Sequence, residues 1–206
     1  MAIDFLWRQG PKEVVLSGNK GPIVGINGWL GGWAGWLDEG LISYAKENNL
    51  GGVLLGLGLQ IQRVDSYLER VHEAVGQYPG AILVGISMGG LIAVRYVEKY
   101  GFDNVRTVLT VASPYNGISF LRAWPWSDGA FRDLAPNSSV LRSIQRVKRV
   151  DKIVCIQGRY DEFAGIACDI NLPGRKVVIN APGGHNELRN NFSWSSDVLA
   201  ELMRGK

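Results

Sequence analysis

The stretch Gly85-Ile86-Ser87-Met88-Gly89 constrains this chain more than any other, because of what stands on either side of it. Residues 81–84 are short, continuously apolar and preceded by Pro79-Gly80, the pattern of a buried strand. Residues 90–100 read as a helix, and Gly101 is placed to stop it. A strand that enters a helix through Gly-x-Ser-x-Gly has to turn sharply. The flanking glycines let two backbone segments pass closely, and the serine is held strained at the helix start. There the dipole and the free N–H groups of the first turn point at whatever the serine meets. With 27 glycines in the chain a bare match is ordinary, so it is the strand–turn–helix setting that gives the pentapeptide its meaning.

The rest of the chain repeats the same alternation. Residues 22–26 read as a buried strand, and Trp33, Trp36, Leu37, Leu41 and Tyr44 recur at helical spacing after it. Residues 52–55 are the next apolar run. A helix is expected from Ser66, whose pairing with Glu69 fits a capping box, with Leu68, Val71 and Val75 as its apolar stripe. Residues 105–111 are strand-like and β-branched, residues 153–156 and 176–179 give two more strands, and a helix over 195–203 closes the chain. Continuously apolar strands alternating with helices predict a mostly parallel sheet covered on both faces, with active residues at the carboxyl ends of the strands. Residues 112–149, rich in Trp, Pro and Ser, read as an irregular, lid-like insertion.

At 206 residues the chain is expected to form one domain spanning 1–206, with 46% apolar and 20% charged residues as in an ordinary globule. A net charge of +3 gives no reason to expect nucleic acid and allows at most weak contact with an anionic surface. The first residues lack the basic start and apolar core of a signal peptide, and no run is long enough to span a bilayer, so a cytoplasmic location is the expectation. Two cysteines do not make a disulfide framework: Cys155 falls in a predicted buried strand and Cys168 in a loop. The run Arg142, Arg146, Lys148, Arg149 and Lys152 could meet anionic headgroups, although a solvated face is the commoner meaning of such a run.

A serine hydroxyl needs a base, and the chain offers two histidines. His72 lies in a predicted helix upstream of the serine and reads as a helix-surface residue. His185 follows the last strand, in a loop from which a base could reach Ser87. A carboxylate must then fix the imidazole. Asp161 is placed for it, just past the strand at 153–156, with Glu162, Asp169 and Glu187 as rivals. For the developing oxyanion, the backbone N–H groups of Met88 and of Trp29, in the glycine-rich turn Asn27-Gly28-Trp29-Leu30-Gly31-Gly32, are the expected donors. Trp124 and Trp126 in the insertion are the candidates for lid or acyl-chain contact; Trp33 and Trp36 read rather as core. Nothing in this scheme calls for a metal or a cofactor.

These segments together resemble the small serine lipases and esterases of the α/β-hydrolase superfamily, related to lipase class 2 and to the PGAP1-like lipases. The resemblance runs from about Pro22 to Met203 and is carried by residues 25–32, 84–91, 158–163 and 183–188, with 113–117 and 133–138 in support. It implies an α/β-hydrolase fold with little or no cap domain. It also implies a Ser87-His185-Asp161 triad acting through an acyl-enzyme on a small-molecule or lipid ester. The same triad serves thioester hydrolysis and acyl transfer, and a binding protein on the hydrolase scaffold is a third reading. The chain departs from the pattern in two places, with Asn27-Gly28 where the family usually has His-Gly, and with Tyr115 where related lipases have the histidine of Ser-Pro-His.

Overall fold

The computed structural model describes residues 13–28, 39–58, 60–123, 129–163, 165–166, 174–180, 184–191 and 193–204. In chain order the elements are β1 (Val14–Ser17), β2 (Lys20–Ile26), α1 (Glu39–Glu47), β3 (Leu50–Leu55), α2 (Leu68–Gln77), β4 (Ala81–Ile86), α3 (Met88–Tyr100) and β5 (Val105–Val111). They are followed by α4 (Ala130–Leu134), α5 (Ser139–Ile144), β6 (Ile153–Gly158), β7 (Tyr160–Asp161), β8 (Gly165–Ile166), β9 (Arg175–Ile179), α6 (Gly184–Asn190) and α7 (Ser193–Arg204). Short 3-10 turns lie at Val64–Tyr67, Ser119–Ala123 and Val150–Lys152.

A seven-stranded sheet in the order β1-β3-β2-β4-β5-β6-β9 organises the molecule. Only β1 runs antiparallel, along β3; the other six strands are parallel. In β3, β4 and β6 every residue is buried, which is why these segments read as unbroken apolar runs rather than as an alternation. Successive side chains of β4 feed opposite faces. Ala81 and Leu83 join a core with Leu68, Val71, Leu91, Ile92 and Ile144 from α2, α3 and α5. Ile82, Val84 and Ile86 join Leu41 and Leu199 from α1 and α7 on the other face. Strand order reverses at β2, which pairs with β3 on one side and β4 on the other. In such a sheet the crevice at the reversal, beyond the carboxyl ends, is where sites form.

Three local expectations are corrected. The helix after β3 does not begin in a Ser66–Glu69 capping box: α2 is entered through a 3-10 turn, Tyr67 is its N-cap residue, and no side chain caps it. The anchor comes from elsewhere in the chain, as the Val64 N–H donates to Asp133 Oδ2 at 2.7 Å. His185 is not in a loop but in the first turn of α6. The stretch 112–149 is less irregular than its composition implies. It carries α4 and α5, and Leu134, Val140, Leu141 and Ile144 are buried in the core. Ser138 caps α5 by accepting the Leu141 N–H at 3.1 Å. Of the basic run, Arg142, Arg146, Lys148 and Arg149 are exposed, and Arg149 pairs with Asp151 at 2.8 Å. Among the described residues no helix is long and apolar enough to cross a membrane.

Candidate active site

Ser87 sits between the end of β4 and the start of α3 with φ 53° and ψ −122°, a conformation a non-glycine residue adopts only when its surroundings hold it there. They do so from two directions. The Ser87 N–H donates to the Val111 carbonyl of β5 at 2.8 Å, and its own carbonyl accepts from Gly90 N–H at 3.0 Å. Gly89 permits the close crossing behind the turn, because a Cβ there would collide with the carbonyl oxygens of Ile26 and Asn27 at the end of β2. Gly28 does the same in front, where a Cβ would lie 2.8 Å from Ser87 Cβ and 3.0 Å from the Ile86 carbonyl oxygen. The two glycines therefore bring the β2 and β4 ends together at the reversal of strand order.

His185 reaches this point from α6. Its Nε2 is 3.1 Å from Ser87 Oγ, and its Nδ1 is 3.0 and 2.9 Å from the two carboxylate oxygens of Asp161. A neutral imidazole that donates Nδ1–H to this carboxyl group turns its Nε2 lone pair to the serine hydroxyl. Both His185 and Asp161 are 5% exposed, and the Phe163 ring stands edge-on to the imidazole at 5.1 Å. The carboxylate is held in turn by the Phe163 N–H, which donates to Asp161 Oδ1 at 2.9 Å.

The rival acid, Glu162, has a different task. Its Oε2 accepts the His185 backbone N–H at 3.0 Å and so positions the first turn of α6 rather than the ring. His72 lies on α2, with Nδ1 3.1 Å from Tyr96 Oη and its ring stacked on Tyr100, as its helical setting suggests. Met88 is the first residue of α3 and fully buried; the first N–H groups of a helix have no partner inside it. Trp29, Trp124, Trp126 and Asp169 lie outside the described residues. Tyr115 is a core residue. Its hydroxyl donates to Thr110 Oγ1 at 3.0 Å, and burial pushes its phenol well above the usual range, so it stays neutral.

Sequence reasoning missed Gln60. It is 1% exposed, and its Nε2 donates to the Asn27 carbonyl at 2.7 Å and to Asn27 Oδ1 at 2.5 Å, directly behind the turn that faces Ser87. No spacing rule marks such a residue; the sole hint is a glutamine among the apolar and glycine-rich residues after β3.

No protein-family model and no curated protein sequence matches the chain. Solved structures do. The mature form of Bacillus licheniformis lipase BlEst2 superposes with a TM-score of 0.67 at 16% identity, over 89% of this chain and 92% of that one. The propeptide form of the same lipase gives 0.70 at 14% identity, over 95% of this chain but 54% of that one. A lipase-esterase related protein from Clostridium acetobutylicum ATCC 824 gives 0.63 at 15% identity, over 94% and 99%. None of these likenesses singles out the lipase class 2 or PGAP1-like branch. With these likenesses and a mostly parallel seven-stranded sheet flanked by helices, the chain has the α/β-hydrolase fold.

Proposed function

We propose that the chain is a serine hydrolase of carboxylic esters. The observation that carries this reading is His185, which spans Asp161 and Ser87 with both ring nitrogens within hydrogen-bond distance. In the proposed cycle His185 Nε2 takes the Ser87 proton as Oγ attacks the acyl carbon. Asp161 supports the resulting imidazolium, which then protonates the leaving alkoxide. Water, deprotonated by the same nitrogen, releases the acyl group from Ser87. The backbone N–H groups of Met88 and Trp29 are the proposed donors to the oxyanion.

An apolar acyl group fits the surface at this edge of the sheet. Phe120, 57% exposed just before residues 124–128, and Ile61, 41% exposed and bonded through its carbonyl to the Ala130 N–H just after them, are large apolar side chains facing solvent. Trp124 and Trp126 are proposed to complete that apolar contact. The neighbouring structures include a lipase and a lipase-esterase related protein, in keeping with an ester substrate.

The test is hydrolysis of nitrophenyl esters from acetyl to palmitoyl by the intact chain and by Ser87→Ala. Turnover by the intact chain and a loss of about 10⁴-fold or more in Ser87→Ala are expected. No turnover at any chain length, or turnover that survives the substitution, would sink the reading.

A further inference from the structure

We propose that Gln60 is a positioning residue for the oxyanion side of this site, acting as a clasp on the Asn27-Gly28 turn. The inference rests on the hydrolase reading above and adds to it the part that holds one donor loop in register with the nucleophile.

The clasp is built from one carboxamide and two acceptors of a single residue, the carbonyl and the side-chain oxygen of Asn27. Holding both fixes the Asn27 peptide and its χ1 together. The next residue is Gly28, which meets Ser87 so closely that no Cβ fits between them. A rotation of the Asn27 peptide is thus transmitted to the backbone beside Ser87 Oγ.

Gln60 is itself held rigidly. Its backbone is at φ 51°, a conformation that is uncommon for a non-glycine residue and persists only where neighbours impose it. The neighbours are identifiable. The Ile61 carbonyl accepts the Ala130 N–H at 2.8 Å, the Gln62 N–H donates to Tyr67 Oη at 2.9 Å, and Arg63 pairs with Asp133 at 2.6 Å. Residues 60–64 are therefore tied to α4, and through Gln60 to the Asn27 turn.

The arrangement is poor for stability alone. Asn27 Nδ2 and Gln60 Oε1 are buried without a hydrogen-bond partner among the described residues, which opposes folding. Strain and unmet polar groups kept together beside a reaction centre are the pattern expected where geometry at the site is what matters.

The experiment is steady-state hydrolysis by Gln60→Leu, Asn27→Ala and the double variant, with kcat expressed per site titrated to completion by a fluorophosphonate and the melting midpoint recorded in parallel. Gln60→Leu should lower kcat per titrated site about 10- to 100-fold with KM within about threefold, the signature of a lost transition-state interaction. The double variant should be no worse than Gln60→Leu, since the two residues act as one unit. Gln60→Asn is the safeguard against misfolding, because asparagine tolerates positive φ best while its shorter side chain cannot span the clasp. It should show the same fall in kcat with a melting midpoint no lower than that of Gln60→Leu. A kcat per titrated site within threefold of the parent in the folded variants, whatever the midpoint does, overturns the proposal. Failure of the hydrolase reading is seen separately, as turnover retained in Ser87→Ala.

Discussion

At the scale of single residues, the two acidic neighbours Asp161 and Glu162 are separated by what each one touches. Asp161 meets the imidazole of His185 with both oxygens, whereas Glu162 meets only the backbone N–H of the same residue. Asp161→Asn keeps the shape but offers a carboxamide N–H where an acceptor is needed, which favours the wrong imidazole tautomer. A fall in kcat of about 10⁴-fold is expected, with the melting midpoint close to the parent. Glu162→Gln retains an oxygen that accepts the His185 N–H, so kcat should stay within about threefold. Nitrophenyl ester kinetics on the two variants settle which carboxylate serves the ring. If Glu162→Gln is the more damaged of the two, the assignment is reversed.

At the scale of elements, the six parallel strands and the longer helices were legible, and the edge strand and the short helices were not. β4, β5 and α3 appear within two residues of their expected bounds because continuous burial writes itself as an unbroken apolar run and because Gly101, at φ 79°, ends α3 as its position suggests. That Ser87, Asp161 and His185 come together was legible because they follow β4, β6 and β9 at the carboxyl end of the sheet. The start of α2 was misread, since Ser66 and Glu69 have the spacing of a cap, while the real anchor is Asp133, 69 residues away from Val64 in sequence. β1 was overlooked as four residues at a sheet edge, and α4 and α5 were hidden by the Trp, Pro and Ser around them. Asp133 therefore carries an element-scale prediction. It is 1% exposed, holds Arg63, and accepts the Val64 N–H, joining α4 to the entry of α2. Asp133→Ala leaves that N–H buried and unmet and should destabilise the fold by about 3 kcal/mol, read as a lower urea midpoint at unchanged m-value. Asp133→Asn keeps an acceptor and should lose about 1 kcal/mol. Equal losses in the two variants would mean that the side chain fills space and anchors nothing.

For the whole molecule, the sheet assigns its two ends different work. The carboxyl end gathers Ser87, the Asn27-Gly28 turn and the segments that follow β3, β5 and β6, and three large side chains in these segments face solvent: Ile61, Phe120 and, 65% exposed, Tyr160. The interior of the fold does not require them there, since both sheet faces are already covered by helices. On the proposed ester-hydrolase reading these exposed side chains are the candidates for contact with an acyl chain, and chain-length preference is the property that measures it. Burying a phenyl ring against a long acyl chain is worth about 1–1.5 kcal/mol when the contact is partial. Phe120→Ser should therefore lower kcat/KM for octanoyl and longer nitrophenyl esters about 5- to 10-fold and leave the acetyl ester within about twofold, because an acetyl group has no chain to pack on a phenyl ring. The ratio of the two specificities cancels any loss of folded enzyme. A Phe120→Ser variant that loses acetyl and palmitoyl turnover in equal proportion would place the acyl chain elsewhere along this edge, with residues 124–128 the next to be replaced.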